Sequence, residues 1–163
     1  MSKKRTALIW GWLSLAVIGL DLLTKILAEN YLQFATPVAI LPVFDLTLLY
    51  NKGAAFSFLA DQGGWQRWLF TAIAIGVSCV LLLWLKKLPR TAKWLPAAIA
   101  LVLGGALGNL IDRIFYGHVV DFLSFHWQDA YFPAFNIADS AISIGAAMLI
   151  IDAFLESRRK TSH

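Results

Sequence analysis

Charge is what this sequence has least of. Only 15% of its 163 residues are Asp, Glu, Lys or Arg, and 59% are hydrophobic, whereas a soluble domain carries about 25% charged residues. The deficit falls in four windows, roughly 7–27, 67–85, 94–116 and 137–155. Each is close to the ~20 residues a helix needs to cross about 30 Å of hydrocarbon. Four spans leave no length for a soluble domain, so the chain is read as one membrane-embedded domain. Cysteine is nearly missing as well: Cys79 stands alone in span two, which excludes an intrachain disulfide and leaves the redox compartment open. A leader's cleavage site is also lacking. The start MSKKRTALIWGWLSLAVIGL has a basic head and an apolar run, but no small-x-small triplet closes it, and Asp21 and Lys25 follow. It reads as an uncleaved first span.

The net charge is +4, but its placement argues against nucleic acid. Lys3, Lys4 and Arg5 precede span one; Lys86, Lys87, Arg90 and Lys93 join spans two and three; Arg158, Arg159 and Lys160 follow span four. These are ten of the fourteen basic residues, all on one side of a four-span topology. The positive-inside rule makes that side, and both termini, cytoplasmic. Trp10, Trp12, Trp84 and Trp94 fall near the inner ends, and Trp65, Trp68 and Trp127 near the outer ends or loops, as interfacial belts do.

Outer loops then cover 28–66 and 117–136. In FDLTLLYN, residues 44–51, apolar side chains alternate with Asp45 and Thr47, which predicts a half-buried strand. Gly53 is a bend, and Ala55–Leu59 a second short strand. A small sheet on the outer membrane surface follows. The aromatic stretch DFLSFHWQDAYFPAF suits a short interfacial helix that ends before Pro133.

The intramembrane polar groups converge on one depth. Asp21 and Lys25 lie near the outer end of span one, and Asn109, Asp112 and Arg113 near that of span three. Asn136 and Asp139 open span four, and Asp121 follows span three closely. Gly105, Gly108, Asn109 and Asp112 share one helical stripe, and Gly104 and Gly108 have the spacing that lets helices approach. The polar faces are therefore packing faces.

Each group also has a plain structural reading. Asp21 and Lys25 suit an i,i+4 salt bridge, Asp112 and Arg113 positioning, and Ser140 and Ser143 packing. In FNIADS, Asn136 and Asp139 have the spacing of a capping box. Counting signs breaks the tie. If Lys25 and Arg113 neutralise Asp21 and Asp112, then Asp121 and Asp139 are left over. An unpaired aspartate at mid-bilayer costs roughly 2.5–3.5 kcal/mol, and two close carboxylates share a proton. That is the acid–base pair of aspartic hydrolases.

Five blocks, DLLTK (21–25), NKGAAF (51–56), GGALGNLIDR (104–113), VVDF (119–122) and FNIAD (135–139), resemble the bacterial lipoprotein signal peptidases (signal peptidase II), in that family's order and over nearly the whole chain. The resemblance implies a four-transmembrane-helix bundle with a small extracytoplasmic β-cradle and an interfacial helix, in the bacterial inner membrane. It implies an intramembrane aspartic peptidase with no metal or cofactor and Asp121 and Asp139 as dyad. The substrate would be a diacylglyceryl prolipoprotein, cut just before its lipidated cysteine near the outer leaflet. Asn51, Asn109, Asp112, Arg113 and Asn136 would position dyad or substrate, with Asp21, Lys25, Gly53, Gly105 and Gly108 as support. The expected partners are substrate, membrane lipid and a cyclic-peptide inhibitor such as globomycin, with no nucleic acid, and the chain is expected to be a monomer.

Other readings use the same residues. Ser124, His126 and Asp121 are a serine-enzyme trio only by sequence proximity, and His118, Asp121 and His126 lack a diagnostic metal spacing. A transporter or assembly factor would also place charges in the membrane. A through-pathway needs polar groups at every depth, however, and span two and the inner halves of the spans are read as free of ionisable groups apart from Asp152.

Overall fold

The computed structural model describes residues 6–53, 64–128 and 130–161. Four helices carry the expected spans: α1 (Gly11–Tyr31, entered through a 3-10 turn at Ala7–Trp10), α2 (Trp65–Lys87), α3 (Trp94–Phe115) and α4 (Ile137–Thr161). All four are long and apolar enough to cross a membrane. Local chemistry sets their ends. Leu88 is extended before Pro89, whose ring disfavours a helical predecessor, so α2 stops there. Pro96 sits in the first turn of α3, where a missing N–H costs nothing because that amide has no partner inside the helix.

Helix α3 packs against the other three and is the most buried of them. Its glycines explain how. A methyl group at Gly104 would lie 2.8 Å from Val17 Cβ of α1, and one at Gly105 would overlap the Ala138 carbonyl of α4. On α4, Gly145 returns the favour against Val102 and Ala98. Two hydrogen bonds pin the contacts: Ser14 Oγ donates to the Ala100 carbonyl at 2.8 Å and Trp94 Nε1 to the Met148 carbonyl at 3.1 Å. Helices held this closely gain dispersion contacts that lipid cannot supply.

Beside one end of the bundle, β1 (Val38–Leu41), β2 (Phe44–Asn51), β3 (Val119–Trp127) and β4 (Ala130–Tyr131) form an antiparallel sheet in that order. The sequence-predicted strand over 44–51 matches β2. Its alternation does not survive: Asp45, Thr47 and Leu48 are buried and Tyr50 is exposed. A bulge is the reason. Leu46 pairs with Leu123, but the next pair is Leu49 with Asp121, so β2 carries one extra residue. The predicted strand over 55–59 lies outside the described residues.

The interfacial helix expected over 121–132 is corrected: β3 and β4 occupy that stretch. The stretch is rich in Phe and Trp, which favour a pleated surface. Its first four strand residues are all buried, which hides period-two alternation. The pairing with β2, some 70 residues away, settles the matter.

The close approach at Gly105 is directly testable. Gly105→Ala should lower stability in detergent by about 1–3 kcal/mol through overpacking, whereas Gly76→Ala, with nothing within 4 Å of the new methyl, should leave the thermal midpoint unchanged or raised.

Candidate active site

Helix α4 begins where the sheet meets the bundle, and its first turn is built from FNIADS. The Asp139 backbone N–H donates to Asn136 Oδ1 at 2.9 Å, and the Asn136 backbone N–H donates to Asp139 Oδ2 at 3.3 Å. This is a reciprocal capping box. The Ala138 amide is satisfied from another helix, by Asp21 Oδ1 at 2.9 Å. The helix start is thus held by two carboxylates, the charge its dipole favours.

Asp21 belongs to a second cluster. Lys25 Nζ lies 2.7 Å from Asp21 Oδ2, 2.8 Å from Asp112 Oδ2 and 3.1 Å from Asn109 Oδ1. An ammonium has three donors, and all three are used. Asp21 and Lys25 are 0% and 3% exposed, so this cation sits where an unpaired charge would be untenable. The Asp112 carboxylate also accepts the Val120 backbone N–H at 3.1 Å, which fixes the start of β3 against α3. Gly108 makes room for the cluster: a methyl there would lie 2.7 Å from Asp21 Oδ2.

Two asparagines join this cluster to the remaining carboxylates. Asn109 Nδ2 donates to Asp139 Oδ1 at 2.7 Å. Asn136, fully buried, shares its two amide hydrogens among Asp121 Oδ1 at 2.8 Å, Asn109 Oδ1 at 3.1 Å and the Val120 carbonyl at 3.2 Å. From β2, Asn51 Nδ2 donates to Asp121 Oδ2 at 3.1 Å. The bulge makes this bond possible. With Leu49 opposite Asp121, Asn51 lies on the same face; without the extra residue it would face away. Gly53, at φ +102, turns its N–H back to Asn51 Oδ1 at 2.9 Å. A side chain there would be strained and would meet the Phe70 ring at 2.8 Å.

The network therefore brings together Asp21, Lys25, Asn51, Asn109, Asp112, Asp121, Asn136 and Asp139, with Gly53, Gly105 and Gly108 at its close approaches. Burial first, and the Asp139 charge second, push the Asp121 carboxyl up from its ordinary value to about 7, against the pull of the Asn51 and Asn136 donors. Asp121 keeps a proton there where an exposed aspartate would not. One carboxylic acid beside one carboxylate can give and take a proton across a substrate bond.

The expected charge pairing is corrected in one respect. Lys25 alone bridges Asp21 and Asp112. Arg113 makes no ion pair among the described residues; its guanidinium lies over the Phe70 ring at 5.4 Å and donates to the Asn109 carbonyl at 3.3 Å. Span two is likewise not free of ionisable groups. Arg67, in the first turn of α2, donates to the carbonyls of Arg113 and Ile114 at 2.7 Å each, capping α3. The only sequence signal for it was a lone cation at the edge of an apolar window.

The competing trios do not assemble. His126 faces Asp45 at 3.4 Å, and Asp121 is held by the two asparagines. Ser124 and Asp121 stand three apart on a strand, on opposite faces. His118 stacks on Tyr50 at 4.4 Å, and no group of three or more metal-ligating side chains is found among the described residues.

Because Lys25 serves two buried carboxylates, Lys25→Met should cost about 3–5 kcal/mol, measured by thermal unfolding in detergent. Adding Asp21→Asn and Asp112→Asn should recover part of the loss.

Comparison with known proteins completes the picture. Residues 13–155 match the family model described as Signal peptidase (SPase) II. Lipoprotein signal peptidase of Pseudomonas putida is 58% identical over 149 residues, covering 90% of this chain and 87% of its own length. That of Acinetobacter baylyi is 56% identical over 153 residues, covering 93% and 86%. A solved bacterial membrane enzyme superposes with a TM-score of 0.83 at 30% identity, covering 98% of this chain and 96% of the other.

Proposed function

The chain belongs to the signal peptidase II family, and from that premise we propose that Asp121 and Asp139 are its catalytic dyad and that the network around them is its positioning machinery. The enzyme is a multi-pass membrane peptidase that removes signal peptides from prolipoproteins. The observation that carries the dyad is the pair of carboxylates held by one buried asparagine: Asn136 Nδ2 on Asp121 and the Asn136 backbone N–H on Asp139.

In the proposed reaction Asp139, ionised, takes a proton from a water lying between the two carboxyl groups. The hydroxide adds to the scissile carbonyl while Asp121 gives its proton to the carbonyl oxygen. The tetrahedral intermediate collapses as a proton passes to the leaving amine, and no acyl-enzyme forms. Asn109 and Asn51 keep the carboxyl oxygens in place, and Arg113, unclaimed by Asp21 or Asp112, faces substrate backbone. The substrate is a diacylglyceryl prolipoprotein cut just before its modified cysteine. Its helix and lipid chains enter laterally from the bilayer. A furrow of about 240 Å3 between the end of α1 and the sheet, lined by Leu27, Ala28, Tyr31, Leu46 and Phe122, offers apolar surface at the dyad's end of the bundle.

The basic residues at the opposite end of the helices support an orientation with both termini in the cytoplasm and the dyad near the outer leaflet of the inner membrane. Globomycin, as a cyclic peptide, would occupy the dyad's surroundings, and the enzyme works as a monomer.

Asp121→Asn and Asp139→Asn should each abolish cleavage of a lipidated prolipoprotein by purified enzyme while leaving the fold intact; turnover at the native rate by either would remove the assignment. The pH profile tests the roles. With Asp121 near 7, activity should fall as pH rises through about 7 and its proton is lost. In Asn51→Leu, which removes a donor that favours the ionised form, this alkaline limb should move to higher pH.

A further inference from the structure

The end of the bundle opposite the dyad holds a concavity of about 850 Å3 that the peptidase reaction does not use. Lys86 and Lys87, in the last turn of α2, and Arg90, in the turn beyond it, line it together with Thr6 and Thr91. No acidic residue lines it. Among the described residues, none of these three cations makes an ion pair with a carboxylate.

The backbone around it is fixed. The Ala7 N–H donates to the Leu88 carbonyl at 3.0 Å, Thr6 pairs with Pro89, and the Ala92 N–H closes a turn on the Pro89 carbonyl at 3.1 Å. The positive-inside rule accounts for basic residues at this end. It does not account for their collection around a hollow whose wall is made by pairing the chain's start to the inner linker. Lys3, Lys4 and Arg5 come immediately before Thr6 in sequence.

Leu88 and Pro89 complete the lining, and Leu88 packs on a buried cluster that includes Ala7, Leu85 and Ile99. Leu8, Ile9, Leu83 and Trp84 are exposed nearby along α1's entry and α2. Passing from the rim into the membrane, the surface changes from cationic and hydroxylic to apolar, which is the polarity order of a phospholipid and not of a free anion. Three cations and two hydroxyls outweigh the partial negative charge of the α2 C-terminus.

We propose that this concavity binds the phosphate headgroup of an anionic phospholipid, with Lys86, Lys87 and Arg90 on the phosphate and the acyl chains against the exposed faces of α1 and α2. Its occupant is a fixed lipid at the end of the bundle far from the dyad, and the inference stands independently of the catalytic assignment.

The test uses the purified full chain in neutral detergent, titrated with phosphatidylglycerol or phosphatidylcholine, with bound lipid counted by native mass spectrometry. Phosphatidylglycerol should bind in preference to phosphatidylcholine. Each cation near a lipid surface is worth about fivefold in affinity, so Arg90→Gln should weaken phosphatidylglycerol binding about fivefold and Lys87→Gln with Arg90→Gln about 25-fold. Arg90→Lys should keep most of it. Arg158→Gln, an equal charge loss on α4, should change nothing. Unchanged phosphatidylglycerol binding in Arg90→Gln, which alters one exposed turn residue and needs no second substitution to be informative, would overturn the proposal. So would an equal loss in Arg158→Gln, which would make the effect one of overall charge. Displacement of the lipid by millimolar inorganic phosphate would assign the site to a soluble anion instead.

Discussion

One ammonium group sets the geometry of this protein's charged end. Lys25 spends its three donors on Asp21, Asp112 and Asn109, and each acceptor leads to a different element. Asp21 reaches the first turn of α4, Asp112 the start of β3, and Asn109 the carboxylate of Asp139. A buried cation with this many partners is worth little as net stability, because desolvation offsets the attraction. Its consequence is specificity: α1, α3, α4 and β3 can meet in only one arrangement without stranding a charge in a medium that cannot solvate it. The glycines of α3 belong to the same constraint, since a methyl at Gly108 would sit on Asp21 and one at Gly105 on the α4 backbone.

The division of labour among the aspartates follows from counting. One lysine bridges two of them, and Arg113 ion-pairs with neither. Asp121 and Asp139 take their hydrogen bonds from amides and make no ion pair among the described residues. Amide donors favour the ionised carboxylate as a salt bridge does, but more weakly, and at Asp121 burial outweighs them. Asp112 and Asp121 lie nine residues apart and both are buried. Asp112 is in direct contact with Lys25, whereas the hydrogen bonds to Asp121 come from Asn51 and Asn136.

The sequence made much of this legible, for a physical reason. Helices in lipid must satisfy their own backbone, so span length and polar stripes can be read locally, and the four spans and the Asn136–Asp139 cap followed from spacing alone. What was not legible depends on contacts between distant segments. β3 looked like an amphipathic helix because four consecutive buried residues erase alternation. The bulge that turns Asn51 toward Asp121 is visible only in the β2–β3 register. Counting charges could not tell which cation meets which acid, since one lysine bridging two carboxylates is a matter of distance. Arg67 was passed over because its partners are backbone carbonyls, which have no sequence signature.

The substrate obeys the same membrane rules as the enzyme. A signal peptide has a basic head and an apolar run of about 7–15 residues, shorter than the ~20 needed to span. On the proposed orientation its head rests on the side of Lys86, Lys87 and Arg90, and its run ends before reaching the far water. A peptide bond at that point lies just inside the opposite interface, too deep for a soluble protease. The proposed dyad sits where α3 ends and α4 begins, a position fixed by the capping box and by Asp112 on β3. The sheet brings Asn51 to that depth from outside the helices. Burying Asp121 there desolvates it, and desolvation is the first cause of its raised proton affinity. On the proposed mechanism, the position needed to reach the bond is thus also what equips Asp121 to protonate it.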